Sequence, residues 1–368
     1  MKTKKYILFI PLIILMIASL YTMYTVKSIN TKYDNYLMKQ AIWYFVGFIV
    51  LIVISKIPIK KFRHLPFILY VMNVILLLLV LFVGKEINGA KAWFNLKYFA
   101  FQPSELMKLS LSLYLSQVIS KHKKETIYDE MILITKVLLL ILIPSILVFL
   151  EPDTGAIILY VIIGFTMLIL AKLNKWWYII SVLFITILLG LFFYCYFNKQ
   201  DLLIKLIGSS FFYRMDRLLN FKDGNGFQIN NALIAIGSSS LYRFNKVGTI
   251  YIPEAPTDFV VSYLVNITGL VGLIVVLLCY LVVDIYFINM LFKEKNTQSK
   301  TFIGGFIGMF LYQQFQNILM NVGLFPIMGI PLPFLSYGGT NIVVYFLFIG
   351  VIYSNSIKYK RKKRLLHN

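Results

Sequence analysis

The ionisable side chains that could do chemistry fall in a few short runs of a chain that is otherwise mostly apolar. In Pro253-Glu254-Ala255-Pro256-Thr257-Asp258-Phe259 an acid stands where a long loop gives way to an apolar segment. An Asp there can cap free backbone N–H groups and complement the helix dipole. Thr257 can take the cap instead, leaving Asp258 at the rim of a partly dehydrated site, where desolvation makes a carboxylate a stronger base. In Gln102-Pro103-Ser104-Glu105-Leu106-Met107-Lys108, Pro and Ser suit a helix start, and Glu105 and Lys108 lie three apart on one helical face. One reading is a mutually neutralised pair with Lys108 reaching for the interface. The other is a functional pair, the default for ionisable groups inside a span. Glu151-Pro152-Asp153-Thr154-Gly155 is either an ordinary polar turn or two carboxylates able to hold Mg²⁺ or Mn²⁺ beside a phosphate, with Asp153 the candidate ligand. In Asn88-Gly89-Ala90-Lys91-Ala92-Trp93, Trp93 reads first as an interfacial anchor, and Lys91, with Lys97 nearby, favours an anionic ligand such as pyrophosphate.

The elements that must position these residues follow from composition. Of 368 residues, 59% are hydrophobic and 14% charged, and mean hydropathy is +0.79. One soluble core cannot hide that much apolar surface, whereas lipid can stand in for a core. Ten apolar runs are long enough to span: 6–26, 41–57, 65–83, 105–120, 131–150, 155–171, 176–196, 258–283, 301–320 and 340–356. The first, behind Lys2, Lys4 and Lys5, reads as an uncleaved anchor because it is long and lacks a small-x-small cleavage pattern. With the amino terminus inside, the cytoplasmic segments and Lys56 carry 21 of the 36 Lys and Arg, six of them in the tail 357–368. Both termini are therefore expected in the cytoplasm. The net charge of +21 becomes a topology signal and an attraction to anionic lipid, with no nucleic-acid partner. Cys195 and Cys279 sit in or beside apolar runs and read as small hydrophobes, and His64, His122 and His367 lie in basic segments. The expectation is an all-α integral membrane protein, a single polytopic domain over residues 1–368.

The outer side then receives the loop 84–104, the acidic turn, the large loop 197–257 between the seventh and eighth spans, and the stretch 324–339. That last stretch is too apolar for a free loop and is expected to re-enter the membrane, where non-helical backbone must be buried in protein or line a wet cavity. Residues 201–221 set apolar side chains against Lys205, Arg214 and Arg217, as an interfacial helix would, and 227–241 forms a second apolar patch. No histidine faces outward in this topology, so acid–base work there falls to carboxylates, lysine or tyrosine. No internal repeat is evident, which weakens a transporter reading.

Taken in order, the motifs NGAKAW, QPSELMK, EPDTG, GFQINNALIAIGSSSL, PEAPTDF and NVGLFPIMGIPLPFLSYGG resemble the SEDS family (shape, elongation, division and sporulation), which contains RodA and FtsW, from about Trp43 to Tyr359. The resemblance implies a glycosyltransferase of the bacterial plasma membrane that polymerises lipid II into β-1,4 glycan strands and releases undecaprenyl pyrophosphate. It also implies a class B penicillin-binding protein as partner. The family's essential aspartate matches Asp258, its Glu and Lys at the fourth span match Glu105 and Lys108, its acidic turn matches Asp153, and its tryptophan matches Trp93. Departures are Ala92 where many members have Arg, Ser238-Ser239-Ser240 for Ser-Gly-Gly, and a shortened stretch FNKVGTI. The serines put the loop's backbone in question, since Gly permits positive φ and Ser resists it.

The chemistry implied is displacement at an anomeric carbon by a sugar 4-hydroxyl. Asp258 is the expected general base, which is worth about 10²–10⁴-fold. Lys108, Lys91, Arg214, Arg217 and a divalent ion at Asp153 are the candidates to meet the leaving pyrophosphate, with Glu105 orienting Lys108 or binding substrate. No organic cofactor is expected. One displacement inverts the donor's α linkage, and no second carboxylate stands out as a nucleophile. The rivals are a lipid II flippase, which needs access from both faces, and a non-catalytic scaffold for a transpeptidase.

Overall fold

Apolar backbone in lipid has no water to bond to, so each run must close its hydrogen bonds within a helix. The computed structural model describes residues 6–57, 63–87, 90–96, 99–122, 126–209, 212, 216, 226–243 and 250–365. A helix occupies each apolar run that the sequence marks. In chain order these are α1 (Tyr6–Val26), α2 (Tyr36–Lys56), α3 (Leu65–Val83), α4 (Pro103–Lys121), α5 (Ile127–Leu150), α6 (Thr154–Leu170) and α7 (Lys175–Asn198). Among the described residues α8 (Gln200–Ile207) and α9 (Gly226–Gly237) follow, and then α10 (Val260–Thr268), α11 (Leu270–Lys293), α12 (Thr297–Asn321) and α13 (Gly339–Leu365). Among the described residues, α1, α2, α3, α5, α7 and α11 are long and apolar enough to cross a membrane, while α6 and the first part of α13 are shorter apolar helices.

Two long helices rich in polar residues, α4 and α12, are enclosed by the others. α4 buries Glu105, Lys108, four serines and Gln117, and α12 buries Gln313, Gln314, Gln316, Asn317 and Asn321. A helix surrounded by protein has no lipid-facing stripe to keep apolar, so its polar groups survive where neighbours can bond them.

Three expectations change. The single span 258–283 is two helices, α10 and α11, broken at Gly269 (φ 74°). A Cβ there would lie 2.6 Å from the Ser240 carbonyl oxygen and 2.8 Å from that of Leu241, so the break needs glycine both for its backbone and for the close approach. The chain at 240–243 tucks around it: Leu270 N–H donates to Ser240 O (3.2 Å) and Val271 N–H to Leu241 O (3.1 Å). None of Ser238, Ser239 and Ser240 takes a positive φ, so serine meets no strain there. Second, the loop 84–104 holds an antiparallel sheet of β1 (Lys85–Ile87), β2 (Ala90–Leu96) and β3 (Phe99–Phe101), in that order, so the all-α expectation holds for the bundle but not for this cap. Third, the apolar patch 227–241 is largely the helix α9. Arg214 and Arg217 lie outside the described residues.

The stretch between α12 and α13 is non-helical, yet Ile330, Leu332, Phe334, Leu335 and Ser336 are buried. Its backbone carbonyls are met by side chains from the bundle. Pro326 O accepts from Gln316 (3.1 Å), Ile330 O from Asn317 (2.9 Å), Ser336 O from Gln40 (3.2 Å), Pro333 O from Tyr280 and Phe334 O from Tyr44. That accounting is what lets irregular backbone sit inside the bundle.

Candidate functional site

The site lies at the end of the bundle where β3, the acidic turn and the start of α10 meet. β3 runs through Gln102 into α4, and Thr340 at the start of α13 ties this junction by accepting from Gln102 N–H (3.4 Å) and donating to Ala100 O (3.4 Å). The first turns of α4 then bring Glu105 and Lys108 together: Nζ lies 2.6 Å from Glu105 Oε2. Lys108 is fully buried, so it does not reach for the interface. Its ammonium stands 6.0 Å from the ring centroid of Tyr345 on α13.

Asp153 is the N-cap of α6, its Oδ1 accepting from Ala156 N–H (3.1 Å). Its Oδ2 accepts from Gln102 Nε2 (3.0 Å) and Ser104 Oγ (3.3 Å), so the acidic turn is bonded onto the start of α4. Gly155 permits this fit, because a Cβ there would lie 2.7 Å from Met328 O and 2.8 Å from Ile330 Cγ1 in the buried stretch. Burial pushes the Asp153 carboxyl up and the Ala156 N–H opposes it; Glu105 adds an upward push, while Lys108 and the Ser104 hydroxyl oppose it.

Asp258 precedes α10 without capping it. The N-cap is Phe259, which has no side-chain cap bond, and Thr257 Oγ bonds the Glu254 carboxylate (2.9 Å). The expected choice between an Asp and a Thr cap is therefore wrong on both sides. The Pro253–Phe259 turn winds about Glu254 (φ 51°), whose carbonyl accepts from Thr257 N–H (3.1 Å) and Phe259 N–H (3.2 Å) and whose carboxylate pairs with Lys32 at 3.2 Å. The buried stretch holds the turn from behind, through Ser336 Oγ to Thr257 O (2.6 Å) and Tyr337 N–H to Pro256 O (2.7 Å). Among the described residues the half-buried Asp258 carboxylate makes no hydrogen bond. Burial first, then the charges of Glu254 and Asp153, push it up to about 7. That is the range of a working general base near neutral pH.

Asp258, Asp153, Glu105 and Lys108 thus form one electrostatic group. Lys91 does not join it by contact: its ammonium donates to Phe82 O (3.0 Å) at the end of α3. Trp93, half-buried, pairs with Lys85 across β1 and β2. Strand alternation puts Lys91 and Trp93 on one face and the buried Ala92 on the other. Asp153 is a poor seat for a resident divalent cation, since both its oxygens are engaged and no group of three His, Cys, Asp or Glu converges among the described residues.

Two features add to the sequence reading. Glu151 is fully buried with neither carboxylate oxygen hydrogen-bonded, and burial with the nearby Asp153 pushes it up to about 8. Asn317 and Asn321, both fully buried on α12, donate to the Asp258 carbonyl at 3.0 and 3.1 Å. Two amides four apart in an apolar run are a legible signal for one polar helix face.

A buried cation beside an acid cluster thus sits on a helical bundle capped by a small sheet. The FtsW/RodA/SpoVE family, described as "Cell cycle protein", matches residues 3–362, and the chain belongs to this family. Among curated relatives, a probable peptidoglycan glycosyltransferase FtsW of Hydrogenovibrio crunogenus is 31% identical, over 86% of this chain and 80% of its own. The FtsW of Wigglesworthia glossinidia brevipalpis, named likewise, is 29% identical over 91% and 87%. The fold is similar to a chain from a structure described as structural coordination of polymerization and crosslinking by a peptidoglycan synthase complex, with a TM-score of 0.79, 22% identity and coverage of 96% and 98%. It is also similar to the rod shape determining protein RodA of Thermus thermophilus, with a TM-score of 0.65, 24% identity and coverage of 93% and 94%. Apolar helices and relatives together make this a multi-pass protein of a bacterial membrane.

Proposed function

We propose that the chain is a peptidoglycan glycosyltransferase that polymerises lipid II into β-1,4 glycan strands, releases undecaprenyl pyrophosphate, and acts in elongation, division or sporulation. The observation that carries this reading is Asp258: a half-buried carboxylate, free of hydrogen bonds among the described residues, at about 7 and within the field of Asp153. Relatives named as probable peptidoglycan glycosyltransferases support the same reaction class.

In this mechanism Asp258 removes the proton from the acceptor's 4-hydroxyl as its oxygen attacks the donor's anomeric carbon. The C–O bond to the pyrophosphate breaks with inversion. Lys108 meets the growing charge, and Glu105 and Asp153 fix the position of that ammonium at 2.6 Å and through α4 respectively. Trp93, Lys91, Arg214 and Arg217 are proposed contacts for the sugar or phosphates. No step is routed through a metal.

The reading includes ten spans with both termini in the cytoplasm and the site outside, supported by the 21 Lys and Arg on the inner segments. The polyprenyl tail then stays in the bilayer and enters between helices. A class B penicillin-binding protein is the proposed partner for cross-linking, supported by the fold's likeness to a chain of a peptidoglycan synthase complex. The basic tail is proposed to face anionic lipid. The test is purified protein in detergent with labelled lipid II: polymer with released undecaprenyl pyrophosphate supports the reading. Intact lipid II, with translocation only after reconstitution into vesicles, would show a flippase instead.

A further inference from the structure

The Asp258 carboxylate is unspent although it sits beside a helix start whose N–H groups need acceptors. Something else must supply the cap, and α12 does. Asn321 Oδ1 accepts from Ser262 N–H (2.9 Å), the third residue of α10, and from Ser262 Oγ (2.7 Å). This is the bond an N-cap side chain would make, supplied across space by another helix.

The same two asparagines fix the backbone of Asp258. Asn317 Nδ2 donates to Asp258 O (3.0 Å) and to Ile330 O (2.9 Å), and Asn321 Nδ2 donates to Asp258 O (3.1 Å) and to Asn317 O (2.9 Å). The carbonyl before, Thr257 O, is held by Ser336 Oγ at 2.6 Å. Both peptide planes flanking Asp258 are therefore pinned, and with them the direction of its Cα–Cβ bond. With no hydrogen bond to the carboxylate among the described residues, backbone fixation is what aims it. Both asparagines are fully buried, so their amides are worth burying only because they are bonded.

We propose that Asn321 caps α10 in place of Asp258 and, together with Asn317, holds the Asp258 backbone, so that both are positioning residues that keep the Asp258 carboxylate free for proton transfer. Loss of the Asn321 cap leaves Ser262 N–H without its acceptor and draws Asp258 toward the helix start, where N–H groups and the dipole favour its charged form. Among the described residues, the charged groups acting on Asp258 are Glu254 on its own turn and Asp153 at α6.

The role as positioning residues rests on the proposed glycosyltransfer, so the experiment has an arm that does not. The purified full-length protein, Asn321→Ala, Asn317→Ala and Asn321→Asp are compared for lipid II polymerisation against pH, thermal unfolding, and carbodiimide labelling of residue 258 against pH by mass spectrometry. In Asn321→Ala, kcat is expected to fall on the order of 10–100-fold with KM within about twofold. The acid limb and the half-labelling pH are expected to move down by about one unit. Asn321→Asp keeps an acceptor for Ser262 and adds a negative charge, so its half-labelling pH is expected not to fall. Asn317→Ala keeps the cap and is expected to lower kcat without the downward shift. Unchanged kcat and half-labelling pH in Asn321→Ala, with only a lower unfolding temperature, overturns the inference. If the wild type makes no polymer, the glycosyltransfer reading fails; the labelling shift then decides whether Asn321 governs Asp258.

Discussion

Removing Glu105 isolates a cation that the bundle has fully buried. Lys108 Nζ lies 2.6 Å from Glu105 Oε2, and the Lys and Glu side chains are 0% and 10% exposed. Breaking such a pair by deleting one partner costs about 3–5 kcal/mol, because the remaining charge is left uncompensated. Here the lower end applies, since Asp153 still acts on Lys108 and the Tyr345 ring stands 6.0 Å from its ammonium. At roughly 1–2 °C per kcal/mol for a chain of this length, Glu105→Gln should lower the unfolding temperature by roughly 3–6 °C. Replacing both partners, as Glu105→Gln with Lys108→Met, leaves no stranded charge, and the unfolding temperature should return most of the way to wild type. Polymerisation should not return, because the proposed cation for the leaving pyrophosphate is gone. Thermal unfolding in detergent, followed by tryptophan fluorescence beside a lipid II assay, reads both quantities. The reasoning is refuted if the double variant unfolds as early as Glu105→Gln, or if it polymerises at the wild-type rate.

Other consequences follow from the same geometry. Glu151 at about 8 and Asp258 at about 7 both lie above their unfolded values, so the native state binds more protons and loses stability as pH rises from about 4 toward 8. Glu151→Gln should therefore raise the unfolding temperature at pH 8 and leave it nearly unchanged at pH 5; an equal effect at both would show that the carboxyl is not held neutral. Gly155→Ala places a methyl 2.7 Å from Met328 O, and overpacking of this kind costs about 1–3 kcal/mol. It should lower both the unfolding temperature and the polymerisation rate by shifting the stretch behind Asp258, and wild-type values for both would rule out that contact.

The bundle was legible because bilayer thickness sets a length that an apolar run either meets or misses. Its interior was less so. Gly269 is invisible as a break, since apolar residues continue on both sides and only the carbonyls of Ser240 and Leu241 explain it. Of the strands over 85–101, β1 and β3 have three residues each, and β2 (Ala90–Leu96) breaks its alternation at the adjacent apolar Ala92, Trp93 and Phe94, so no period-2 pattern announces them. At the site, the three-residue spacing of Glu105 and Lys108 foretold their pairing, and the acidic turn drew attention to Asp153, but not to its bonds with Gln102 and Ser104, which come from a distant part of the chain. Spacing likewise could not show that Lys91 is engaged at Phe82, or that Glu151 is buried without a hydrogen-bond partner. The cap on α10 escaped because sequence reasoning looks for caps beside the helix, and Asn321 arrives from 59 residues away.

The account stands on Asp258 accepting a proton from a sugar hydroxyl, and the most direct measurement is the rate of lipid II polymerisation by the purified wild type and Asp258→Asn from pH 5 to pH 9. The wild-type rate should rise with pH through a midpoint near 7, as the carboxyl ionises. Asp258→Asn should unfold at a similar or higher temperature and lose at least about 10²-fold in rate across the range. An Asp258→Asn protein that polymerises at the wild-type rate with the same pH midpoint would contradict the account.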